Sequence, residues 1–215
     1  MTIKAVLFDL DGTFADTAPD LARALNMMRA ARTLPPVAPD ATRPVTSTGA
    51  RGMLRVGFGI TPEHAEYAAM REEFLDLYAS NLCVETVVFP GMHELLEGIE
   101  ARGLAWGIVT NKAERFAKPL IELMQFTQRC ACLIGGDTTG VLKPHPEPLL
   151  AASRAIGLAP ASCIYVGDDQ RDVQAGRAAG MKTIAVRYGY LNGSVPETWG
   201  ADFIVDAPQE VLAHL

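Results

Sequence analysis

The chain has 215 residues, of which 49% are hydrophobic and 20% are charged, and its formal net charge at pH 7 is −6. This composition is typical of a folded globular protein and excludes a disordered chain, while the length predicts one large domain or a domain that carries an insertion. The negative net charge provides no overall positive field for nucleic acid or for an anionic membrane, so an anionic ligand must be held by local groups.

The apolar runs of the sequence indicate the compartment in which the protein is expected. Only residues 5–8 are apolar before the first acidic residue, which is too short for the core of a signal peptide. No run of about 18 apolar residues occurs, which argues against a helical membrane span. We therefore expect a cytoplasmic protein that binds neither nucleic acid nor membrane.

The first predicted element is a buried strand over residues 3–8, a short apolar run that ends abruptly at Asp9. The alternation of strands and helices then stops over residues 15–89, where we find helical patterns and a proline-rich loop over residues 34–44. One predicted helix there has an apolar face made of Leu21, Ala24, Leu25 and Met28.

A second helix of this segment is predicted to begin at Thr61 as its N-cap, with Pro62 in its first turn. Its predicted inward-facing residues are Tyr67, Met70, Phe74 and Leu77. Residues 15–89 are therefore predicted to form an inserted helical domain, and residues 1–14 together with 90–215 to form the core. The position of the insertion favours a cap that covers the substrate, although a bundle that serves only packing would have the same pattern.

Strands and helices alternate in the remainder of the chain. Apolar runs predict strands over residues 104–109, 131–134, 163–166 and 183–186. Helical patterns cover residues 92–99, 146–156 and 170–179, and each is followed by a glycine that can end the helix. Alternation of this kind predicts a doubly wound α/β fold with a parallel sheet.

Acidic and polar residues follow four of the predicted strands. They are Asp9 and Asp11 with Gly12, then Thr110 and Asn111, then Lys143, and finally Asp168 and Asp169. Because ligands collect at the carboxyl ends of parallel strands, we expect these residues to converge. Neighbouring carboxylates repel one another unless a cation lies between them. Oxygen ligands without Cys or His favour Mg²⁺ over zinc, and Mg²⁺ commonly binds together with a substrate phosphate.

Phosphoryl transfer is the chemistry that these residue types suit. Asp9 is predicted to act as a nucleophile that forms an aspartyl-phosphate, and Asp11 to protonate the leaving alcohol and later to deprotonate water. Gly12 permits a tight turn that exposes backbone N–H groups to an anion. The other predicted partners of the phosphoryl group are Thr110, Asn111 and Lys143, the last as a balancing positive charge.

Each motif by itself also has a purely structural interpretation. Asp-x-Asp-Gly is a common turn, Thr110-Asn111 can cap a helix, and Asp168-Asp169 can form a helix N-terminus. Four such motifs in order, each after a predicted strand, favour a catalytic site. A phosphate-binding regulatory protein on the same fold is the non-catalytic alternative.

The four motifs resemble those of the haloacid dehalogenase-like hydrolase superfamily. The matching stretches are Asp9-Leu-Asp11-Gly-Thr-Phe, Thr110-Asn111, Lys143-Pro and Gly167-Asp168-Asp169-Gln-Arg-Asp172. The resemblance implies a Rossmann-like core with a helical cap inserted after the first motif. It also implies that Asp9, the backbone carbonyl of Asp11 and Asp168 hold Mg²⁺. Asp172 would be an alternate ligand or would support the ligands from outside the coordination sphere.

Several activities of that superfamily can be separated by residue type. In the family, dehalogenases lack the second aspartate of the first motif, so Asp11 indicates a phosphate ester as the substrate. Phosphonatases of the family use a lysine in the cap, whereas no lysine occurs between Lys4 and Lys112. A sugar-phosphate mutase shares all the core residues and stays open as an alternative to a phosphatase.

Two groups of phosphatases resemble further stretches of the chain. Lys143-Pro-His-Pro-Glu-Pro and Arg187-Tyr-Gly-Tyr190 look like phosphoglycolate phosphatases, whereas Gly49-Ala-Arg-Gly-Met53 and Trp199-Gly-Ala-Asp202 look similar to N-acetylmuramic acid 6-phosphate phosphatases. We expect 2-phosphoglycolate as the substrate, with N-acetylmuramic acid 6-phosphate as the alternative. Both carry a carboxylate, which the guanidinium of Arg51, in a glycine-flanked loop that includes Gly49, would bind in a bidentate way.

Overall fold

A computed structural model describes residues 2–215 of the chain. The strands are β1 (Ala5–Phe8), β2 (Ala15–Asp16), β3 (Val87–Val88), β4 (Ala105–Val109), β5 (Leu133–Ile134), β6 (Cys163–Gly167), β7 (Lys182–Val186) and β8 (Phe203–Val205). The α-helices are α1 (Ala18–Ala31), α2 (Pro39–Thr42), α3 (Gly49–Phe58), α4 (Tyr67–Ala79), α5 (Met92–Ala101), α6 (Glu114–Leu123), α7 (Glu147–Ala155) and α8 (Gln170–Ala178).

Six of the strands form one parallel sheet in the order β5-β4-β1-β6-β7-β8. Strands β4 and β5 lie on one side of β1 and the other three lie on the opposite side, so the winding of the chain reverses at β1. Such a reversal opens a crevice at the carboxyl ends of the strands. The doubly wound α/β fold predicted from the sequence is therefore confirmed.

All five predicted strands occur, with ends that differ by at most two residues from the predicted ones. Strand β8 was not predicted, because three residues are too few to establish a periodicity. The two-residue strands β2 and β3 were also missed. They pair antiparallel, with Ala15 opposite Val88, and so join two positions that are far apart in the sequence.

The sheet is buried on both faces, as the apolar runs predict. One face carries an aromatic cluster around Phe14, whose ring centroid lies 5.5 Å from that of Trp106 and 5.2 Å from that of Phe126. Phe14 directly follows the Asp9–Thr13 motif, so this packing anchors the loop that carries the motif. The opposite face is covered by α7 and α8 through residues such as Leu149 and Ala175.

Helices α1, α3 and α4 pack around a hydrophobic cluster that is separate from the two faces of the sheet and that also includes Phe116 of α6. The apolar face predicted for the first of these helices is confirmed, since Leu21, Ala24, Leu25 and Met28 are all buried in this cluster. The predicted domain boundaries, near residues 14 and 90, lie beside strands β2 and β3, and the division into two domains stays a prediction. In the proline-rich loop and directly after it, α2 and a 3-10 helix over Arg43–Thr48 add helical structure that was not predicted.

The predicted start of the second inserted helix at Thr61-Pro62 is wrong. Two consecutive turns occupy this stretch, closed by hydrogen bonds from His64 N to Thr61 O at 2.9 Å and from Tyr67 N to His64 O at 3.0 Å. The His64 ring competes with helical pairing, since its Nδ1 accepts a hydrogen bond from Glu66 N at 3.2 Å. The helix therefore begins at Tyr67.

Asp20 fastens α1 to the segment that leads back into the core. Its fully buried carboxylate accepts hydrogen bonds from the backbone N–H groups of Val84, Glu85 and Thr86, at 2.9–3.1 Å, and from the Thr86 hydroxyl at 2.7 Å. Four donors satisfy a buried carboxylate that would otherwise be costly. The two stretches of chain that connect the helical segment to the sheet are thus held together near β2 and β3.

Within residues 2–215, none of the helices combines the length and the apolarity that crossing a membrane requires.

Candidate active site

Three buried carboxylates meet at the carboxyl end of the sheet. The strand register pairs Phe8 with Ile108 on one side and with Val166 on the other, so Asp9 and Asp168 emerge at the same edge. Asp172 joins them from the first turn of α8, and one carboxylate oxygen of each residue lies within 4.8 Å of the others. The residues are at most 9% exposed. The predicted convergence of acids therefore occurs in the structure.

Asp168 is held by hydrogen bonds and by close packing against the first motif. Its Oδ1 accepts a hydrogen bond from Thr13 Oγ1 at 3.0 Å, and its Oδ2 accepts one from Tyr190 N at 2.7 Å. Gly12 lies directly against it with a φ of 89°, and a Cβ atom on Gly12 would come within 2.1 Å of Asp168 Oδ2. Glycine is thus required at this position both by the left-handed backbone and by the approach of the carboxylate.

We expect Gly12→Ala to displace Asp168 and to destabilise the protein by several kcal/mol, because the new methyl group cannot avoid the buried carboxylate. Gly180→Ala is the matched control. Gly180 also has a positive φ, of 75°, but no described atom lies within 4 Å of its added Cβ, so this variant should lose only about 1–2 kcal/mol. Urea unfolding of both variants measures the difference, and equal losses would contradict a packing role for Gly12.

Lys143 places a buried positive charge between two of the acids. Its Nζ lies 2.7 Å from Asp172 Oδ1 and 2.8 Å from Asp9 Oδ1, and it also donates to Tyr165 Oη at 2.8 Å and to Val109 O at 3.2 Å. Burial opposes its charged form, but Asp172 and Asp9 more than compensate and raise the pKa of Lys143. Lys143 therefore lies in the position predicted for a balancing positive charge.

Tyr165 is a residue of this network that the sequence analysis missed. Its hydroxyl donates to Val109 O at 2.7 Å while it accepts from Lys143, so it orients the ammonium group. Burial raises the pKa of Tyr165 and keeps its phenol protonated. In the sequence this residue lies inside an apolar strand, where a tyrosine is indistinguishable from any other core aromatic.

The acid cluster suits a hard cation. Burial, Asp9 and Asp172 together raise the pKa of Asp168 well above its usual range. Burial also raises the pKa of Asp172, to about 7, although Lys143 opposes the shift. Asp9 Oδ1 is buried and not aligned for a hydrogen bond with Lys143, and no other donor among residues 2–215 reaches it. A cation bound between these oxygens would relieve the repulsion and satisfy that atom, so the donor set fits a divalent metal ion.

Asp11 lies apart from the carboxylate cluster. Its Oδ1 accepts hydrogen bonds from Lys112 Nζ, at 2.7 Å, and from Thr17 Oγ1. Its side chain is thus engaged away from the three clustered carboxylates, and the role of its backbone carbonyl as a metal ligand stays a prediction. Lys112 also lies 4.9 Å from the ring centroid of Tyr78 in α4. Sequence analysis assigned no role to Lys112, although it directly follows Thr110-Asn111.

Thr110 and Asn111 were predicted to bind phosphate oxygens. In the structure both side chains form hydrogen bonds with nearby backbone groups. Thr110 Oγ1 accepts a hydrogen bond from Lys112 N at 3.1 Å. The Asn111 amide exchanges two hydrogen bonds with the backbone of Lys143, from Nδ2 to O at 3.0 Å and from N to Oδ1 at 2.9 Å. Asn111 therefore holds the lysine loop in place.

A second link joins the sheet to the helical segment beside the acids. Asp169 caps α8 by accepting from Arg171 N at 2.8 Å, and its carboxylate forms a bidentate ion pair with the Arg171 guanidinium. Arg171 also donates to Ser47 O at 3.2 Å. Sequence analysis did not single out Arg171, whose contact with Ser47 depends on how the two parts of the chain fold together.

A cavity of about 440 Å³ opens above the acid cluster, between the sheet edge and helices α3 and α4. Asp9, Asp11 and Lys143 line it from the core, while Gly49 and Arg51 line it from the helical segment. Gly49 and Arg51 were predicted to lie in a loop, but both belong to the first turn of α3. Both residues nevertheless line the cavity above the acids, as a role in substrate binding would require.

Comparisons with known proteins agree with this geometry. Residues 6–186 match the family model described as haloacid dehalogenase-like hydrolase. The chain is 46% identical over 213 residues to the N-acetylmuramic acid 6-phosphate phosphatase of Pseudomonas aeruginosa, covering 99% of this chain and 94% of the relative. It is 45% identical over 209 residues to the phosphoglycolate phosphatase of Xanthomonas campestris pv. campestris, covering 97% and 94% of the two chains.

A solved structure shows the same similarity. The crystal structure of a predicted phosphoglycolate phosphatase from Haemophilus somnus superposes with a TM-score of 0.87 at 26% sequence identity, and the match covers 100% of this chain and 98% of that one. The family model spans most of the chain, and the sequence relatives cover nearly all of it. The chain therefore belongs to the haloacid dehalogenase-like hydrolase family, as a phosphatase-type enzyme, which confirms the resemblance seen in its four motifs.

Proposed function

We propose that the protein is a Mg²⁺-dependent phosphomonoesterase that acts through an aspartyl-phosphate on Asp9. The observation that carries this proposal is the cluster of Asp9, Asp168 and Asp172, neutralised on one side by Lys143 and open to a cavity on the other. Asp9, Asp168 and the backbone carbonyl of Asp11 would hold the cation, with Asp172 supporting them through Lys143. When bound, Mg²⁺ supplies positive charge that stabilises the transferring phosphoryl group.

The residues of the chain divide the reaction into two steps. In the first, a carboxylate oxygen of Asp9 forms a bond to phosphorus and the bond from phosphorus to the ester oxygen breaks, while Asp11 donates a proton to that oxygen. In the second, Asp11 takes a proton from water, which attacks the aspartyl-phosphate and releases inorganic phosphate and free Asp9. The ammonium of Lys143, 2.8 Å from Asp9, balances negative charge in both steps.

We propose residues 15–89 as the cap that encloses the substrate. Support comes from their separate hydrophobic cluster and from the contribution of α3 and α4 to the cavity wall. The wall also contains apolar side chains of this segment, among them Leu21, Phe74 and Tyr78. Closing such a cap over the acids excludes water from the nucleophile before hydrolysis begins.

The size of the cavity favours the larger of the two candidate substrates. A volume of about 440 Å³ falls within the roughly 300–1,000 Å³ of sites that enclose a drug-sized ligand. N-acetylmuramic acid 6-phosphate, a hexosamine with phosphate and lactyl carboxylate groups, is of that size, whereas 2-phosphoglycolate has only two carbon atoms. We therefore place N-acetylmuramic acid 6-phosphate first, in reverse of the order expected from the sequence. The name of the Xanthomonas relative keeps 2-phosphoglycolate as the second candidate.

Steady-state hydrolysis of the two esters tests this proposal. We expect kcat/KM to be at least about 100-fold higher for N-acetylmuramic acid 6-phosphate, which corresponds to about 2.7 kcal/mol of additional transition-state binding. Release of inorganic phosphate distinguishes the phosphatase from a mutase, which would return the phosphate to another hydroxyl group. A preference for 2-phosphoglycolate would overturn the substrate assignment, and absence of hydrolysis with either ester and with an aryl phosphate would overturn the phosphatase assignment.

A further inference from the structure

We propose that Arg51, Arg71 and Arg115 form a second anion site in the cavity, which binds the carboxylate of the substrate while its phosphate lies at Asp9. This inference rests on the proposed function and specifies how the substrate is recognised. The three guanidinium groups line one cavity but come from three elements, α3, α4 and α6. Arg51 was predicted from the sequence, whereas Arg71 and Arg115 were not.

The charge pairing around the cavity leaves these three arginines for a ligand. Each acid of the cavity wall has a cationic partner among the described residues, although Asp9 and Asp172 share one. The pairs are Asp11 with Lys112, Asp169 with Arg171, and both Asp9 and Asp172 with Lys143. None of these ion pairs involves Arg51, Arg71 or Arg115, so an anionic ligand can pair with the three arginines without displacing a carboxylate of the site.

The partners of the three arginines are few and weak. Arg51 has no hydrogen bond and no ion pair within residues 2–215, and the acid near enough to feel its charge is the fully exposed Glu63. Arg71 pairs only with its sequence neighbour Glu72, and the closest carboxylate oxygen to Arg115 is that of Glu72 at 4.0 Å. The side chains of Arg71, Arg115 and Glu72 are 45–56% exposed, and exposed ion pairs contribute little to stability. A substrate carboxylate can replace them at small cost.

The three arginines come from both parts of the chain, which gives this site a role in substrate specificity. Arg51 and Arg71 belong to the segment 15–89, and Arg115 belongs to α6 of the core. A carboxylate bound to all three connects the proposed cap to the core. Guanidinium groups bind carboxylates in a planar, bidentate way, so a substrate that carries both a phosphate and a carboxylate is held at both ends. A sugar phosphate that lacks the carboxylate is held at one end only.

N-acetylglucosamine 6-phosphate is the appropriate comparison substrate, because it has the same amino sugar and the same phosphate without the lactyl carboxylate. We expect Arg115→Gln, Arg71→Gln and Arg51→Ala each to lower kcat/KM for N-acetylmuramic acid 6-phosphate about tenfold or more, chiefly through KM. Hydrolysis of N-acetylglucosamine 6-phosphate should change less than about twofold, since its transition state gains nothing from the arginines.

Two exposed cations outside the cavity wall provide matched controls. Arg55 lies one turn after Arg51 in α3, and Lys118 lies near Arg115 in α6. Neither Arg55→Gln nor Lys118→Gln should alter the ratio of the kcat/KM values for the two substrates. Equal losses on both substrates, or no loss on either, would overturn the anion site, as would a wild-type enzyme that does not prefer the carboxylate-bearing sugar. If one of these results overturns the anion site, wild-type hydrolysis of N-acetylglucosamine 6-phosphate would still support the phosphatase assignment. Absence of any phosphate release by the wild type would instead contradict the proposed function.

Discussion

Asp9→Asn should reduce phosphate release by on the order of 10⁴-fold or more while the protein remains folded. The carboxamide has nearly the shape of the carboxylate but cannot form the acyl-phosphate bond. Folding should tolerate the change, because Lys143 keeps its ion pair with Asp172 at 2.7 Å, and because removing one of three buried like charges reduces their repulsion. Single-turnover assays with acid quench, together with thermal unfolding, measure the two effects.

Asp137→Asn is the control for this result. Asp137 also follows a strand, but its exposed carboxylate only accepts a hydrogen bond from Glu114 N at 2.8 Å, which an asparagine side chain can retain. We expect this variant to keep wild-type turnover. Turnover close to wild type in Asp9→Asn would mean that another group attacks phosphorus and would remove the proposed mechanism.

Mg²⁺ should be required for activity and should stabilise the fold. At a Mg²⁺ concentration of about 100 times Kd, we expect the free energy of unfolding to rise by about 2.7 kcal/mol, which for a chain of this length raises Tm by about 5–10 °C. The physical reason is the repulsion among Asp9, Asp168 and Asp172, which the cation removes. Differential scanning calorimetry with Mg²⁺ and with EDTA measures this increase, and EDTA should abolish phosphate release.

The stabilisation by Mg²⁺ should also depend on pH. Burial raises the pKa of Asp172 to about 7 without the cation, above the value of about 3.8 expected in the unfolded chain. The native protein then binds a proton that the unfolded chain releases, so the metal-free fold loses stability as pH rises from about 4 through 7. A cation held by Asp9 and Asp168 favours the ionised form of the adjacent Asp172, so below pH 7 its binding is coupled to the loss of this proton. The Tm increase caused by Mg²⁺ is therefore expected to be larger at pH 8 than at pH 6.

Asp168→Asn separates metal binding from a general packing defect. The variant loses a proposed ligand, so the difference between Tm with and without Mg²⁺ should fall close to zero, whatever its absolute Tm. Asp137→Asn should retain the full difference. An unchanged response to Mg²⁺ in Asp168→Asn, or a response that is independent of pH, would contradict the assignment of the cluster as the cation site.

The sequence by itself determined the parallel α/β architecture and the residues that meet at the sheet edge. Buried parallel strands are continuous apolar runs, and each run ends where its functional residues begin, so Asp9, Thr110 and Asp168 could be located from local pattern alone. Gly12 could be recognised for the same reason, because a tight turn after a strand requires a residue free to adopt a positive φ. Signals of this kind lie within a few consecutive residues.

Only the tertiary structure decided which side chains pair with one another. Lys112 contacts Asp11 across 101 residues, Asn111 holds the backbone of Lys143, and Tyr165 orients the same lysine. That Arg115 lines the same cavity as two arginines of the helical segment also depends on packing between α4 and α6. These contacts join positions far apart in the chain, and their energies depend on burial and distance, which no local periodicity encodes. The strands and the polar residues that follow them are therefore properties of short segments, whereas the charge balance and the shape of the cavity are properties of the packed molecule.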